Sequence, residues 1–161
     1  MMVKAVRVML EPNNVQQTKM FQYAGAARFA YNWALAKEKD NYEKGGKFIS
    51  DSELRKEFTR LRNSDEYAWL QNVSNNVTKQ AIKDACIAYK NFFKSLQKYP
   101  KFKSKKKSTP KFYQDNIKIQ FSDTHVKFEG FSSSRKANKQ KLNWVRLAEH
   151  GRIPTDAKYM N

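Results

Sequence analysis

The residues of this chain that could do chemistry are mostly cations set among aromatic rings. Lys90, Lys94, Lys98, Lys101, Lys103, Lys105, Lys106, Lys107 and Lys111 fall between Ala85 and Gln114 with no acid among them. Phe92, Phe93, Tyr99, Phe102, Phe112 and Tyr113 are interleaved with them. A second acid-free stretch, Gly130 to Ala148, carries Arg135, Lys136, Lys139, Lys141 and Arg146 beside Phe131 and Trp144. Cations neutralise phosphates and release counterions, and flat rings stack on bases. The pattern therefore predicts nucleic-acid binding, ahead of a merely solvated face or an acidic membrane partner.

Other chemistry finds no support. His125 and His150 have no spaced partner ligand. A metal-dependent nuclease needs several carboxylates converging on two cations. The late acids, Asp115, Asp123, Glu129, Glu149 and Asp156, are scattered over strands and turns instead. Cys86 is the single cysteine, which excludes an internal disulfide and a zinc site built on paired cysteines. It reads as a buried, inert thiol. Gly45-Gly46 reads as a helix stop rather than a phosphate cradle. No catalytic residue and no metal ligand is expected, so the chain by itself is expected not to be an enzyme.

The elements that must position these cations are those of one ordinary domain, or one domain with an insertion. The chain has 161 residues, a net charge of +17 and 40% hydrophobic residues, enough for a real core despite a mean hydropathy of −0.88. The charge is uneven, net +4 over residues 1–84 and net +13 over 85–161. No apolar run approaches the ~20 residues of a membrane span. Lys4 and Arg7 interrupt any leader-like apolar stretch, so a cytoplasmic protein with a polyanionic partner is expected.

Residues 3–10 alternate and read as a strand, broken by Glu11-Pro12-Asn13-Asn14. A helix is predicted from about Val15 to Lys44, with Phe21, Ala24, Arg28, Tyr31 and Leu35 on its apolar face and Gly45-Gly46 ending it. Gly25 in its middle is either a close packing point or a break between two helices. Ser50-Asp51-Ser52-Glu53 has capping-box spacing and opens a second helix with Leu54, Phe58 and Leu61 inward. Trp69-Leu70 anchors the connection that follows. Ser74 caps a third helix, whose stripe is Val77, Ala81, Ile82, Ala85, Ala88, Tyr89, Phe92, Phe93 and Leu96. Pro100 to Pro110 is an aperiodic lysine-rich loop. Beyond it the period becomes two: Ile117, Ile119 and Phe121, then Val126 and Phe128, then Trp144 to Leu147, with a turn at Ser122-Asp123-Thr124. Together these give a three-helix bundle and a small sheet or partial barrel.

Arg28-Phe29-Ala30-Tyr31-Asn32-Trp33-Ala34-Leu35-Ala36 resembles the RFVYNWAL signature of TnpB (OrfB) proteins, transposon-encoded RNA-guided nucleases ancestral to compact type V CRISPR effectors. Further similarities follow in the family's order: Tyr42 to Lys47, Trp69-Leu70 with Val73-Ser74, Ala88 to Phe93, Tyr99 to Lys106, and Asn143 to Arg146. The resemblance implies an α+β fold, a three-helix recognition bundle inserted after the first strand of a partial wedge, or oligonucleotide-binding-like, β-barrel. It divides the chain into a first barrel strand at 1–11, a helical recognition domain at 12–98, a basic loop at 99–112 and further barrel strands at 113–161. The family's RuvC nuclease domain, which would need magnesium, and its structural-zinc ribbon normally follow this region. No cofactor is expected for the chain itself.

The same resemblance implies a role. This half of a TnpB-like protein grips the guide RNA and the target duplex and reads a short adjacent DNA motif, while base pairing reads the rest. Motif-reading positions carry over to Asp51, Asn75, Asn76, Lys79, Tyr113 and Gln114. Asn and Gln pair with adenine and Lys donates to guanine. Equally, Asn75 and Asn76 are first-turn capping residues and Asp51 complements the helix dipole. Lys101, Lys103, Lys105, Lys106 and Lys107, with Lys90, Lys94, Lys98, Lys111, Arg135, Lys136, Lys139 and Lys141, are assigned to phosphates. Tyr99 and Phe102 either pin the loop or stack on bases. Tyr31 and Trp33 read as packing residues, and Arg28 pairs either with RNA or with an internal acid. The expected partners are a structured guide RNA and duplex DNA, with no membrane. The alternatives are a split subunit completed by a RuvC-containing chain, and a stand-alone DNA-binding regulator that uses no RNA.

Overall fold

The computed structural model describes residues 3–115, 117–132 and 141–154. It forms two compact units, one of Met1–Met20 with Gln114–Asn161 and the other of Phe21–Tyr113. The elements in order are β1 (Leu10–Glu11), α1 (Asn14–Glu43), α2 (Asp51–Arg62), a 3-10 segment (Asp65–Asn72), α3 (Asn75–Phe93), β2 (Gln120–Phe121), β3 (His125–Lys127) and β4 (Trp144–Leu147). Helix α1 starts in the first unit and continues into the second.

The helical unit is built on α1. Tyr23, Ala26, Ala30 and Ala34, and likewise Tyr31 and Leu35, recur at three- and four-residue intervals and are buried. Leu54 and Phe58 of α2, Leu70 of the 3-10 segment, and Val77, Ile82, Ala85 and Tyr89 of α3 complete the core. Helix α1 stops where Gly45 takes a φ of 73° and the Gly46 amide donates to the Asn41 carbonyl at 2.8 Å. Ser50 then caps α2, its hydroxyl accepting from the Glu53 amide at 3.2 Å. Ser74 stands at the N-cap of α3. That helix ends at Phe93, with Ser95 in the left-handed region and the Leu96 amide on the Asn91 carbonyl.

The other unit is a four-stranded antiparallel sheet in the order β1-β4-β3-β2. Leu10 pairs with Leu147, Val126 with Val145, and Phe121 with Val126, so these side chains share one face. Val126, Val145 and Leu147 are buried, as are Phe128, Phe131 and Ile153, and the Phe128 and Phe131 rings stack at 5.2 Å. The turn at Ser122–Thr124 joins β2 to β3, with the Ser122 amide on the His125 carbonyl at 2.8 Å.

Several expectations need correction. Of the expected strand at 3–10 only Leu10 is strand, and it runs on into Glu11, which was expected to break it: the ladder with β4 covers these two residues, and the Met9 carbonyl takes one further bond from the Ala148 amide. Gly25 neither breaks α1 nor makes a close packing point: the helix runs through it, and nothing lies within 4 Å of the position a Cβ would take. Phe21 is exposed, Tyr23 taking the core position instead. Phe93 and Leu96 are also exposed, because α3 ends at Phe93 and Leu96 lies past its cap. Ile117 is exposed and precedes β2 in a turn rather than belonging to a strand.

Candidate nucleic-acid interface

The lysine-rich segment after α3 has no regular structure, yet it is fixed to the helical unit at defined points. The Asn32 amide donates to the Lys103 carbonyl at 2.7 Å, and the Lys103 amide donates to the Asn32 Oδ1 at 2.8 Å. This reciprocal pair mimics one rung of a sheet ladder between residues 71 apart. Tyr99 is held by a 2.8 Å hydroxyl contact with Tyr89 and packs edge-on against Phe92 at 5.0 Å. Tyr99 therefore pins the segment, whereas Phe102 remains 52% exposed with Lys39 Nζ 5.6 Å from its ring. The Ser108 amide on the Ser104 carbonyl closes the turn that displays Lys105, Lys106 and Lys107 to solvent.

Within the helical unit this segment and helices α1 and α3 line a groove of about 420 Å³. Arg28, Lys103, Lys111 and Tyr113 face it, and Asp84 is the one acid in its lining. Ala24, Ala27 and Ala81 keep its wall low. Lys103 Nζ lies 3.8 Å from the centroid of the Tyr31 ring, a cation–π contact. Burial, then the nearby charge of Lys111, lowers the pKa of Lys103, and Asp84 opposes that shift. Burial, then Asp84, raises that of Tyr31. Partly desolvated cations that outnumber their acid partners are stabilised by an incoming anion.

A second hollow, of about 290 Å³, lies between α2 and α3 and brings Asn75 and Lys79 together with Arg55, Lys56 and Thr59. Asp51, the first residue of α2, pairs with Arg55 at 3.3 Å. Asn75 and Asn76 open α3, with Asn75 exposed and Asn76 half-buried. Tyr113 belongs to the helical unit and lines the first groove, whereas Gln114 belongs to the sheet unit. Lys94, Lys98 and Lys101 are exposed, and so is Lys90, which lies 5.2 Å over the Phe48 ring. In the sheet unit Lys141 is exposed, in a left-handed conformation just before β4. Arg135, Lys136 and Lys139 lie outside the described residues.

The sequence reading missed Arg55 and Lys56, although the four-residue step from Asp51 to Arg55 was a usable signal. It also gave Asn32 no separate task. Trp33 packs against Phe58 at 5.2 Å, as a packing residue should. Cys86 is buried, and its thiol is pushed up to about 12 by burial and then by the charges of Glu38 and Asp51. Among the described residues no group of three or more His, Cys, Asp or Glu is arranged to hold a metal ion. No helix of the described residues is long and apolar enough to cross a membrane.

A helical body with a clamped basic segment, joined to a small sheet, is an α+β chain whose grooves suit a polyanion. A helix-turn-helix domain model of the OrfB/IS605 family matches residues 1–47. Over those residues this chain has β1 and the unbroken helix α1. The chain is 28% identical over 143 residues to "Putative RNA-guided DNA endonuclease InsQ" of Escherichia coli K12, covering 89% of this chain and 36% of that protein. It is 29% identical over 105 residues to a "Putative RNA-guided DNA endonuclease" of Streptomyces pristinaespiralis, covering 65% and 26%. Over 113 residues it is 27% identical to "Virulence protein VsdF" of Salmonella dublin, covering 65% of this chain and 95% of that one. The chain is thus similar over 89% of its length to InsQ, and it spans about a third of that protein's length.

Proposed function

We propose that this chain is the nucleic-acid-binding, non-cleaving N-terminal portion of a TnpB-like RNA-guided system, gripping a structured guide RNA and duplex DNA. The observation that carries the reading is the groove in which Arg28, Lys103 and Lys111 face Asp84 alone, beside a lysine turn clamped to the helices by Asn32. The similarity to two proteins named as RNA-guided DNA endonucleases supports the identity of the polyanion. In this reading Lys105, Lys106 and Lys107 contact phosphates without sequence preference. Asn75 and Lys79, with Arg55 beside them, face base edges at a short DNA motif, and Asp51 holds Arg55 in position.

The test is to express the chain with its native flanking DNA, wash at high salt and sequence the nucleic acid that stays bound. One enriched structured RNA is the expected result. Lys105→Glu with Lys106→Glu should weaken RNA and duplex DNA together in filter binding. Lys79→Ala should blur preference among duplex sequences, and equal loss on all sequences would remove the motif-reading role. Sequence-specific duplex binding by protein free of RNA would overturn the guide-RNA part and favour a DNA-binding regulator.

A further inference from the structure

The sheet has two faces, and only one is used by the core. The alternation that sends Val126, Val145 and Leu147 inward sends His125, Lys127, Trp144 and Arg146 to the opposite face. Register aligns them: His125 is opposite Arg146, Lys127 is opposite Trp144, and Glu11 is opposite Arg146. These side chains line a hollow of about 650 Å³, within the range of about 300–1,000 Å³ typical of small-ligand sites. Gln16 helps to build it. That residue is buried, and its side-chain amide donates to the Leu142 and Trp144 carbonyls at 3.0 and 2.8 Å, holding the start of α1 on β4.

We infer that this hollow holds one unpaired nucleotide of a single strand, its base stacked against the Trp144 ring and its phosphates on Lys127, Lys141 and Arg146. The inference rests on the nucleic-acid reading above and adds a site to it. The charge fits: three permanent cations line the hollow with one carboxylate, Glu11, which Arg146 already meets at 3.5 Å. The ring fits as well. Lys127 Nζ stands over the Trp144 ring, 5.8 Å from its centroid, so a phosphate that draws this cation aside leaves the ring face to the base next to it. Inside a duplex both faces of each base are covered by neighbours, so an unpaired base can stack here and an internal duplex base cannot.

The probe is a three-nucleotide RNA added to the full chain and read by tryptophan quenching and equilibrium dialysis. The same RNA with an abasic central position should bind more weakly by about 5-fold or more, the range of base–aromatic stacking. Trp144→Leu should lose both the quench and that discrimination, while Trp144→Phe, which keeps a ring, restores most of the discrimination. Equal binding of the intact and abasic RNA, or undiminished binding by a folded Trp144→Leu chain, overturns the proposal. The Lys105→Glu, Lys106→Glu chain separates the two readings. Binding of long RNA and duplex should fall there, while the trinucleotide affinity stays unchanged. Long nucleic acids that bind while the trinucleotide does not would sink the sheet site alone. The reverse result would sink the wider interface and leave the sheet site standing.

Discussion

Gly25 shows what one residue does when neither packing nor backbone strain requires it. It lies inside an unbroken helix, with open space where a Cβ would project. Glycine at such a position is less favourable than alanine by about 1 kcal/mol, mostly through the freedom it has in the unfolded chain. Gly25→Ala should therefore raise stability by about that amount, which thermal unfolding would report as a rise of about 2–4 °C. A fall in the midpoint would mean that the position meets a partner. Glu38 is the opposite case, buried, with one carboxylate oxygen accepting from the Ile49 amide at 3.3 Å and the other facing the Cys86 thiol. Burial raises its pKa above 4.5, against the Ile49 hydrogen bond, the Cys86 contact and the charge of Lys90. The folded state thus holds this proton more tightly than the unfolded chain does. The stabilisation is complete below 4.5, drains away as pH rises through the folded value, and stays low above it. Glu38→Gln should raise the melting temperature at pH 7 and flatten its decline from acid toward neutral pH. A parallel fall at every pH would show that the charged form is the one the core prefers.

At the scale of elements, signals written within a few residues were legible and those that needed a distant partner were not. Ser50 capping the Glu53 amide and Gly45 ending α1 are local chemistry, so both limits of α1 and the start of α2 follow from the sequence to within a residue or so. Alternation over residues 3–10 does not make a strand alone, since a strand exists only as far as another backbone pairs with it. The cations of the basic segment were visible as composition. Their mounting was not, because Asn32 and Lys103 meet across 71 residues. The mounting predicts that Asn32→Ala removes both hydrogen bonds, each worth about 0.5–1.5 kcal/mol, and frees the segment locally. Limited proteolysis should then cut between Lys98 and Lys111 much faster than in the parent chain, with little change in helical circular dichroism. An unchanged cutting rate would mean that Tyr99 alone secures the segment.

For the whole molecule, the dominant fact is a charge of +17 weighted toward the second half of the sequence. Each phosphate neutralised contributes a slope of about −0.9 to the dependence of log affinity on log salt for duplex DNA. If Lys105 and Lys106 each meet a phosphate, their reversal to glutamate flattens that slope by about 1.8 or more. Lys79→Ala alters it by no more than about 0.9. The two classes of contact thus differ in salt response as well as in sequence preference.

The Asn32 clamp grips Lys103 by its amide and carbonyl, atoms that every residue type but proline supplies. At this point the backbone is held, so the clamp does not depend on the side chains of Lys105, Lys106 and Lys107 that follow it. Relatives can therefore exchange the cations along this segment, and retune it to a different polyanion, without disturbing the helices that present it. The fixture and what it displays are free to evolve separately.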